Sequence, residues 1–182
     1  MSKKILVIPI LVLTFVLLSI PVMAKPATKI EGVTAIVSAA LIPDPASLRQ
    51  VGHNIVFNKG TGGGTITLNI PGKGSLSGTV SSTWSGKSKW TDFPNFNPEA
   101  TNIVRGQMVL TFTDAGTGIP DTTGTFEGMN HVKSIGLPPI PPLYVEYHMV
   151  LQGTGDFEGQ TLKLSYAGAP PVVFEGTLII PK

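Results

Sequence analysis

Apolar positions in this chain follow two rules, and the change between them comes at residue 24. From Ile5 to Met23 the sequence is almost continuously apolar. From Lys25 onward, Val, Ile, Leu, Phe and Tyr alternate with hydroxyl, amide and charged residues in short runs. Successive side chains of a strand point to opposite faces, so alternation of this kind predicts half-buried β-strands. The runs predict strands near 31–40, 50–58, 63–70, 75–86, 102–113, 122–132, 143–152, 160–167 and 172–180. No stretch carries a helical period, and 45–51 offers at most one short helical turn.

The alternation also assigns faces. In the 75–86 strand, Ser77, Thr79, Ser81, Thr83 and Ser85 form one hydroxyl row opposite Leu76, Val80 and Trp84. Ile66, Leu68 and Ile70 face away from Thr65, Thr67 and Asn69, and Pro71-Gly72-Lys73-Gly74 then turns the chain into the next strand. That pair is a predicted antiparallel hairpin. Val104, Met108, Leu110 and Phe112 share a face, as do Leu143, Val145, Tyr147, Met149 and Leu151; Arg105, Gln107, Thr111, Tyr144, Glu146, His148 and Gln152 lie opposite. One-sided antiparallel strands build a barrel or a sandwich. A single all-β antiparallel barrel of about eight strands is the expected fold, with a β-sandwich as the alternative, because closure removes edges that few charges here protect.

The apolar start has a different meaning. Lys3 and Lys4 precede it, and Val22-Met23-Ala24 closes it with small residues at the third and first positions before a cut. This is the pattern of an export signal at 1–24, which leaves 25–182 as the β domain and places it outside the cytoplasm, secreted or at the cell surface. The run from Ile5 to Met23 is also close to the roughly 20 residues of a membrane-spanning helix, so an uncleaved N-terminal anchor is the alternative. Pro9 and Pro21 each interrupt such a helix. Any membrane contact is expected through this segment alone.

Removing Lys3 and Lys4 from 13 basic residues leaves 11 against 11 acids, so the exported domain is formally neutral. Its lysines are scattered, which gives no footprint for nucleic acid. There is no cysteine, which excludes disulfides, thiolate catalysis and cysteine metal sites, and suits a prokaryotic envelope. No Asn-x-Ser/Thr acceptor occurs. All 21 glycines and 14 of 16 prolines fall after residue 24. Two stretches break the alternation: the aromatic 90–98 segment with Trp90, Phe93 and Phe96, and the proline-rich 136–142 segment, both expected at a barrel rim.

Phe-Glu-Gly occurs at 126–128, 157–159 and 174–176, at unequal spacings of 31 and 17 residues. Alternation accounts for each copy: Phe to the core, Glu to solvent, Gly at a bend or a close approach. Gathering the three carboxylates into a cation site or an acid/base pair is the functional alternative. The second copy lies within Gln152-Gly153-Thr154-Gly155-Asp156-Phe157-Glu158-Gly159. Together with the strand start Gly124-Thr125-Phe126, this turn resembles the eight-stranded barrels of the allene oxide cyclases and dirigent proteins, over about residues 102–180. The resemblance implies the fold, and a hydrophobic substrate held inside. No catalytic residue of that group matches position by position, and a shared fold does not carry an activity.

Catalytic motifs are otherwise missing. His53, His131 and His148 stand far apart without metal-binding spacing, and no Gly-x-Ser-x-Gly elbow exists. Glu146 with His148 and Glu127 with His131 read as outward pairs on strands. Gly60-Thr61-Gly62-Gly63-Gly64 reads as a flexible hairpin connection, and Asp114 to Asp121 as a hairpin loop. No metal or cofactor is expected, and no catalytic residue is assigned. What remains is binding, since an eight-stranded barrel is filled by side chains or holds one small ligand. The candidate ligand-binding residues are Trp84, Met108, Phe112, Tyr147 and Met149. The expected function is therefore an exported binder of a small apolar or amphipathic molecule. A cyclase- or isomerase-type enzyme and a surface glycan-binding or adhesion module using 90–98 are the alternatives.

Overall fold

The computed structural model describes residues 26–89, 100–113, 122–136, 144–169 and 171–182. Residues 1–24, expected as an export signal, the aromatic 90–98 segment, the expected 114–121 loop and residues 137–142 of the proline-rich segment lie outside them. The described chain is all-β. In order it forms β1 (Thr28–Pro43), a 3-10 turn (Pro45–Ser47), β2 (Leu48–Val51), β3 (Asn54–Ile70), β4 (Gly74–Lys89), β5 (Thr101–Phe112), β6 (Gly124–Ile135), β7 (Tyr144–Gly155), β8 (Thr161–Gly168) and β9 (Val173–Ile180).

All pairings are antiparallel, and β3 to β9 follow one another as neighbours around the sheet. Strand β1 closes it into a barrel. Its first half pairs with β9, Thr28 opposite Ile180 to Ile36 opposite Val173, and its second half with β3, Thr34 opposite Asn69 to Pro43 opposite Gly60. Gly32, at φ 72°, sits in the register shift between Glu31 and Val33, a bulge that lets β1 swing from one partner to the other. Eight strands make the barrel, and β2 is one extra short strand on β3. Asp44 accepts a hydrogen bond from the Ala46 amide at 3.0 Å, capping the 3-10 turn that carries the chain from β1 to β2.

The faces follow the alternation. Ser77, Thr79, Ser81, Thr83 and Ser85 are exposed on β4, while Leu76, Val80 and Trp84 are buried. Elsewhere the outer face also carries exposed apolar residues, with Ile36 opposite Val173 and Met129 opposite Val150. The β3–β4 turn forms as expected: Lys73 donates its amide to the Ile70 carbonyl at 3.0 Å, and Gly72 takes the φ of 74° that a Pro-Gly turn demands.

One expectation is corrected. The glycines at 60–64 are no hairpin connection; they lie within the 17-residue strand β3, which absorbs two predicted strands. The reason is steric. A Cβ on Gly64 would stand 2.0 Å from the Ser38 carbonyl oxygen, and one on Gly60 2.5 Å from the Trp84 indole. Gly78, Gly106, Gly128 and Gly176 similarly face the interior where a neighbouring strand's carbonyl oxygen comes within 1.8–2.2 Å of a notional Cβ. Glycine here bends strands into a barrel as well as turning them.

The core has two parts. The larger fills the lower half, the end bearing the β3–β4 turn, around Leu68, Leu110, Phe112, Phe126, Leu151 and Leu162. The Gly153–Gly159 turn folds Phe157 under the barrel against Phe126 at 4.6 Å and Phe112 at 5.8 Å. Asp156 pins that turn, accepting from the Thr123 amide through Oδ2 at 2.7 Å and donating its own amide to the Thr123 carbonyl at 3.1 Å. The Phe-Glu-Gly copies follow the structural reading, with Phe126, Phe157 and Phe174 buried and Glu127, Glu158 and Glu175 exposed.

Candidate functional site

The smaller cluster lies in the upper half: Phe57, Trp84, Val104, Val132 and Val145, with Tyr147 and Tyr166 touching both clusters. The strand register stacks this region into inward-facing rows. One row runs Gly60, Trp84, Gly106, Asn130, Met149, Leu164 across β3 to β8. Above it run Phe57, Gly86, Val104, Val132, Tyr147 and Tyr166, and above that Ile55, Ser88, Asn102, Ser134, Val145 and Gly168. Below lies Gly62, Ser82, Met108, Gly128, Leu151 and Leu162.

Trp84 stands edge-to-face on Phe57, with ring centroids 4.8 Å apart at 81°, and its indole occupies the space that the missing Cβ of Gly60 leaves. It is only 8% exposed, yet its Nε1 has no hydrogen-bond partner. The same holds for Ser88 Oγ and Asn130 Oδ1, on residues each 4% exposed. Buried polar atoms almost always find partners, so three without one in one half of one barrel call for an explanation. Tyr147 lies between the clusters, its ring 5.3 Å from that of Phe174; burial pushes its phenol above the ordinary value by disfavouring the phenolate. Tyr166 donates its hydroxyl to the Ala169 carbonyl.

Of the five residues chosen from sequence, Trp84 and Met149 share one row, with Tyr147 in the row above and Met108 in the row below; Met108, Met149 and Phe112 pack in the larger cluster, Trp84 in the smaller, and Tyr147 touches both. Phe112 lies deeper, against Phe126 and Phe157 in the lower aromatic plug. Asn130, Ser88 and Asn102 were missed. Their signal was parity: Asn130 has the inward phase of Phe126, Gly128 and Val132, and Ser88 that of Trp84. Asn102 has found its partners, donating through Nδ2 to the Gly136 carbonyl at 2.6 Å and to Ser134 Oγ at 3.3 Å. The Gly136 amide in turn donates to the Ala100 carbonyl at 3.0 Å, so this upper corner is tied internally.

No protein-family model, curated protein or solved structure matches the chain.

The electrostatics of the interior are simple. Among the described residues the inward positions carry no carboxylate, imidazole, amine or guanidinium; tyrosines are the only ionisable groups there. The Glu146–His148 contact, 3.3 Å, lies on the outer surface, as do His131, directly opposite His148, and Glu127. No group of three or more potential metal ligands forms among the described residues, and none of their helices is long and apolar enough to cross a membrane. A cavity of about 150 Å³ opens at the lower end between Ile70, Leu76, Phe157, Leu178, Lys73 and Gln160. It lies on the far side of the aromatic plug from the unpartnered atoms, and it is small beside the roughly 300–1,000 Å³ of ordinary ligand pockets. The upper interior, where the three orphaned hydrogen-bonding atoms lie, is therefore the better candidate.

Proposed function

We propose that this chain is an exported, non-enzymatic β-barrel that binds one small apolar or amphipathic molecule in the upper half of its interior. The observation that carries the reading is the set of unpartnered buried atoms, Trp84 Nε1, Ser88 Oγ and Asn130 Oδ1, in rows otherwise lined by small and apolar residues. Leaving a buried polar atom unsatisfied costs about 1–3 kcal/mol, and a bound molecule with matching polar atoms offsets that cost. Export rests on Lys3, Lys4, the apolar run and Val22-Met23-Ala24. A relation to the allene oxide cyclase and dirigent group rests on Gly124-Thr125-Phe126 and the Gln152–Gly159 turn alone.

The test expresses the full-length gene, recovers the protein from the cell exterior or envelope, and records its native mass with and without solvent extraction. An intact mass starting at Lys25 and an extractable small molecule are expected. A protein that carries nothing, and in which no hydrophobic dye changes Trp84 fluorescence in a Trp90→Phe background, would refute binding.

A second reading, a cyclase- or isomerase-type enzyme, draws on the same polar lining and on Tyr147 as the ionisable group within it. It requires turnover that falls with Tyr147→Phe while ligand retention persists. If that variant turns over as fast as the parent, the enzymatic reading is lost.

A further inference from the structure

We infer that two copies of this chain associate edge to edge, by antiparallel pairing of the Val37–Ile42 segment of β1 with the same segment of a second copy. The inference stands apart from what the barrel binds.

The edge follows from the way β1 is shared. One side of β1 pairs with β3 as far as Pro43, opposite Gly60, whereas β9 covers the other side only as far as Ile36, opposite Val173. From Val37 onward no described strand pairs with that second side, so its backbone N–H and C=O groups have no ladder among the described residues. Such a row is a template for another strand, and proteins guard it with charge, proline or an irregular turn. Val37-Ser38-Ala39-Ala40-Leu41-Ile42 contains no charge, glycine or proline. The guards begin just beyond it, at Pro43, Asp44 and the 3-10 turn Pro45–Ser47, with Arg49 on β2.

A second copy is the occupant because the edge is complementary to itself. Directly paired residues share a face of the sheet, and Ser38 and Ile42 are both exposed on the outer one. A two-fold axis at Ala40 sets Ser38 of each copy opposite Ile42 of the other and uses the whole free length, Val37 falling opposite Pro43. This register stops one residue short of the place that Val173 fills beside Ile36. It also gathers apolar side chains that the single chain leaves in water. Ile42, 63% exposed, stands at one end of the free edge, and Ile36 and Val173, 52% and 42% exposed, stand at the other. Antiparallel pairing lays one end on the other, so Ile42 of each copy lies diagonal to Ile36 of its mate, roughly 7–8 Å away and within reach of long side chains. One symmetric contact thus covers both ends of both edges, which is the pattern of an isologous interface.

A single short edge makes a small interface, so the dimer is weak and depends on concentration. The experiment follows protein from the full-length gene by sedimentation and native mass over about 1–300 µM, where the dimer fraction is expected to rise. Ile42→Lys is expected to weaken association roughly tenfold or more, because it removes the apolar contact and places a charge beside the edge. Adding Ser38→Glu to Ile42→Lys is expected to restore roughly fivefold or more at low salt and to lose that gain at about 1 M salt, since the register sets each new carboxylate opposite a new ammonium of the other copy. Within one chain these positions lie about 13 Å apart along the strand, too far to pair. Should Ile42→Lys fail to fold, hydrogen exchange of the parent decides: the amides of 38–42 gain protection as concentration rises. A parent that stays monomeric, a dimer indifferent to Ile42→Lys, no recovery with Ser38→Glu, or exchange that ignores concentration overturns the inference.

Discussion

Gly63 and Gly64 are neighbours in one strand, yet replacing each with alanine should move stability in opposite directions. A Cβ on Gly63 meets nothing nearer than the Val80 carbonyl oxygen at 3.8 Å, an ordinary contact on an exposed face. Gly63→Ala therefore mainly restricts the unfolded chain, which stabilises by about 0.4–1 kcal/mol. A Cβ on Gly64 would lie 2.0 Å from the Ser38 carbonyl oxygen and 2.6 Å from the Ala39 Cα, both backbone atoms that cannot rotate away. Strand β1 would have to retreat from β3, and these two strands close the barrel. Losing two ladder hydrogen bonds costs about 1–3 kcal/mol, and forcing extra volume into a packed site costs about 1–3 more. Gly64→Ala should thus lose about 2–6 kcal/mol. For a domain of this size about 1 kcal/mol moves Tm by 2–4 °C, so thermal denaturation should show a rise of about 1–4 °C for Gly63→Ala and a fall of about 4–24 °C for Gly64→Ala. Equal shifts in the two variants, or an unharmed Gly64→Ala, would refute the claim that inward glycines are required by interstrand approach.

Asn102→Ala removes the donor to the buried Gly136 carbonyl and to Ser134, and should cost about 1–3 kcal/mol by urea denaturation. Phe157→Ala takes out the aromatic group under the barrel and should cost about 3–5 kcal/mol in the same assay, with the Gly153–Gly159 turn losing hydrogen-exchange protection. The Tyr147 phenol is raised above its ordinary value near 10 by burial, so the native state keeps its proton where the unfolded chain has lost it. Its contribution to stability is whole below pH 10 and declines above it; stability measured from pH 8 to 11 should fall less steeply in Tyr147→Phe than in the parent. Glu146→Gln breaks an exposed contact to His148 and should leave the melting temperature within about 1 °C at pH 7.

Much of the barrel was legible because strand alternation is a local property. The hydroxyl row of β4, the inward Val104, Met108, Leu110 and Phe112 of β5, and the Pro71–Gly74 turn need only neighbours in sequence to declare themselves. The glycines at 60–64 misled because glycine in a turn and glycine at a close interstrand contact look the same in one dimension. Asn130 and Ser88 stood at inward phase and could have been singled out. Their lack of partners could not, since that depends on Gly106, Met149, Ile55 and Asn102, brought beside them by strand pairing.

By itself the sequence determined the period-two faces, the neutral and cysteine-free composition after residue 24, the export pattern before it, and hence an all-β domain with an apolar inside. These are properties of single residues and of their spacing along one chain. The tertiary structure alone decided that β1 divides itself between β9 and β3 to close the barrel, and that Phe157 folds beneath Phe112 and Phe126. It also decided that the unpartnered Trp84, Ser88 and Asn130 share one half of the interior. Those outcomes rest on contacts between residues tens of positions apart, where register and steric approach, which no local pattern encodes, select the neighbours.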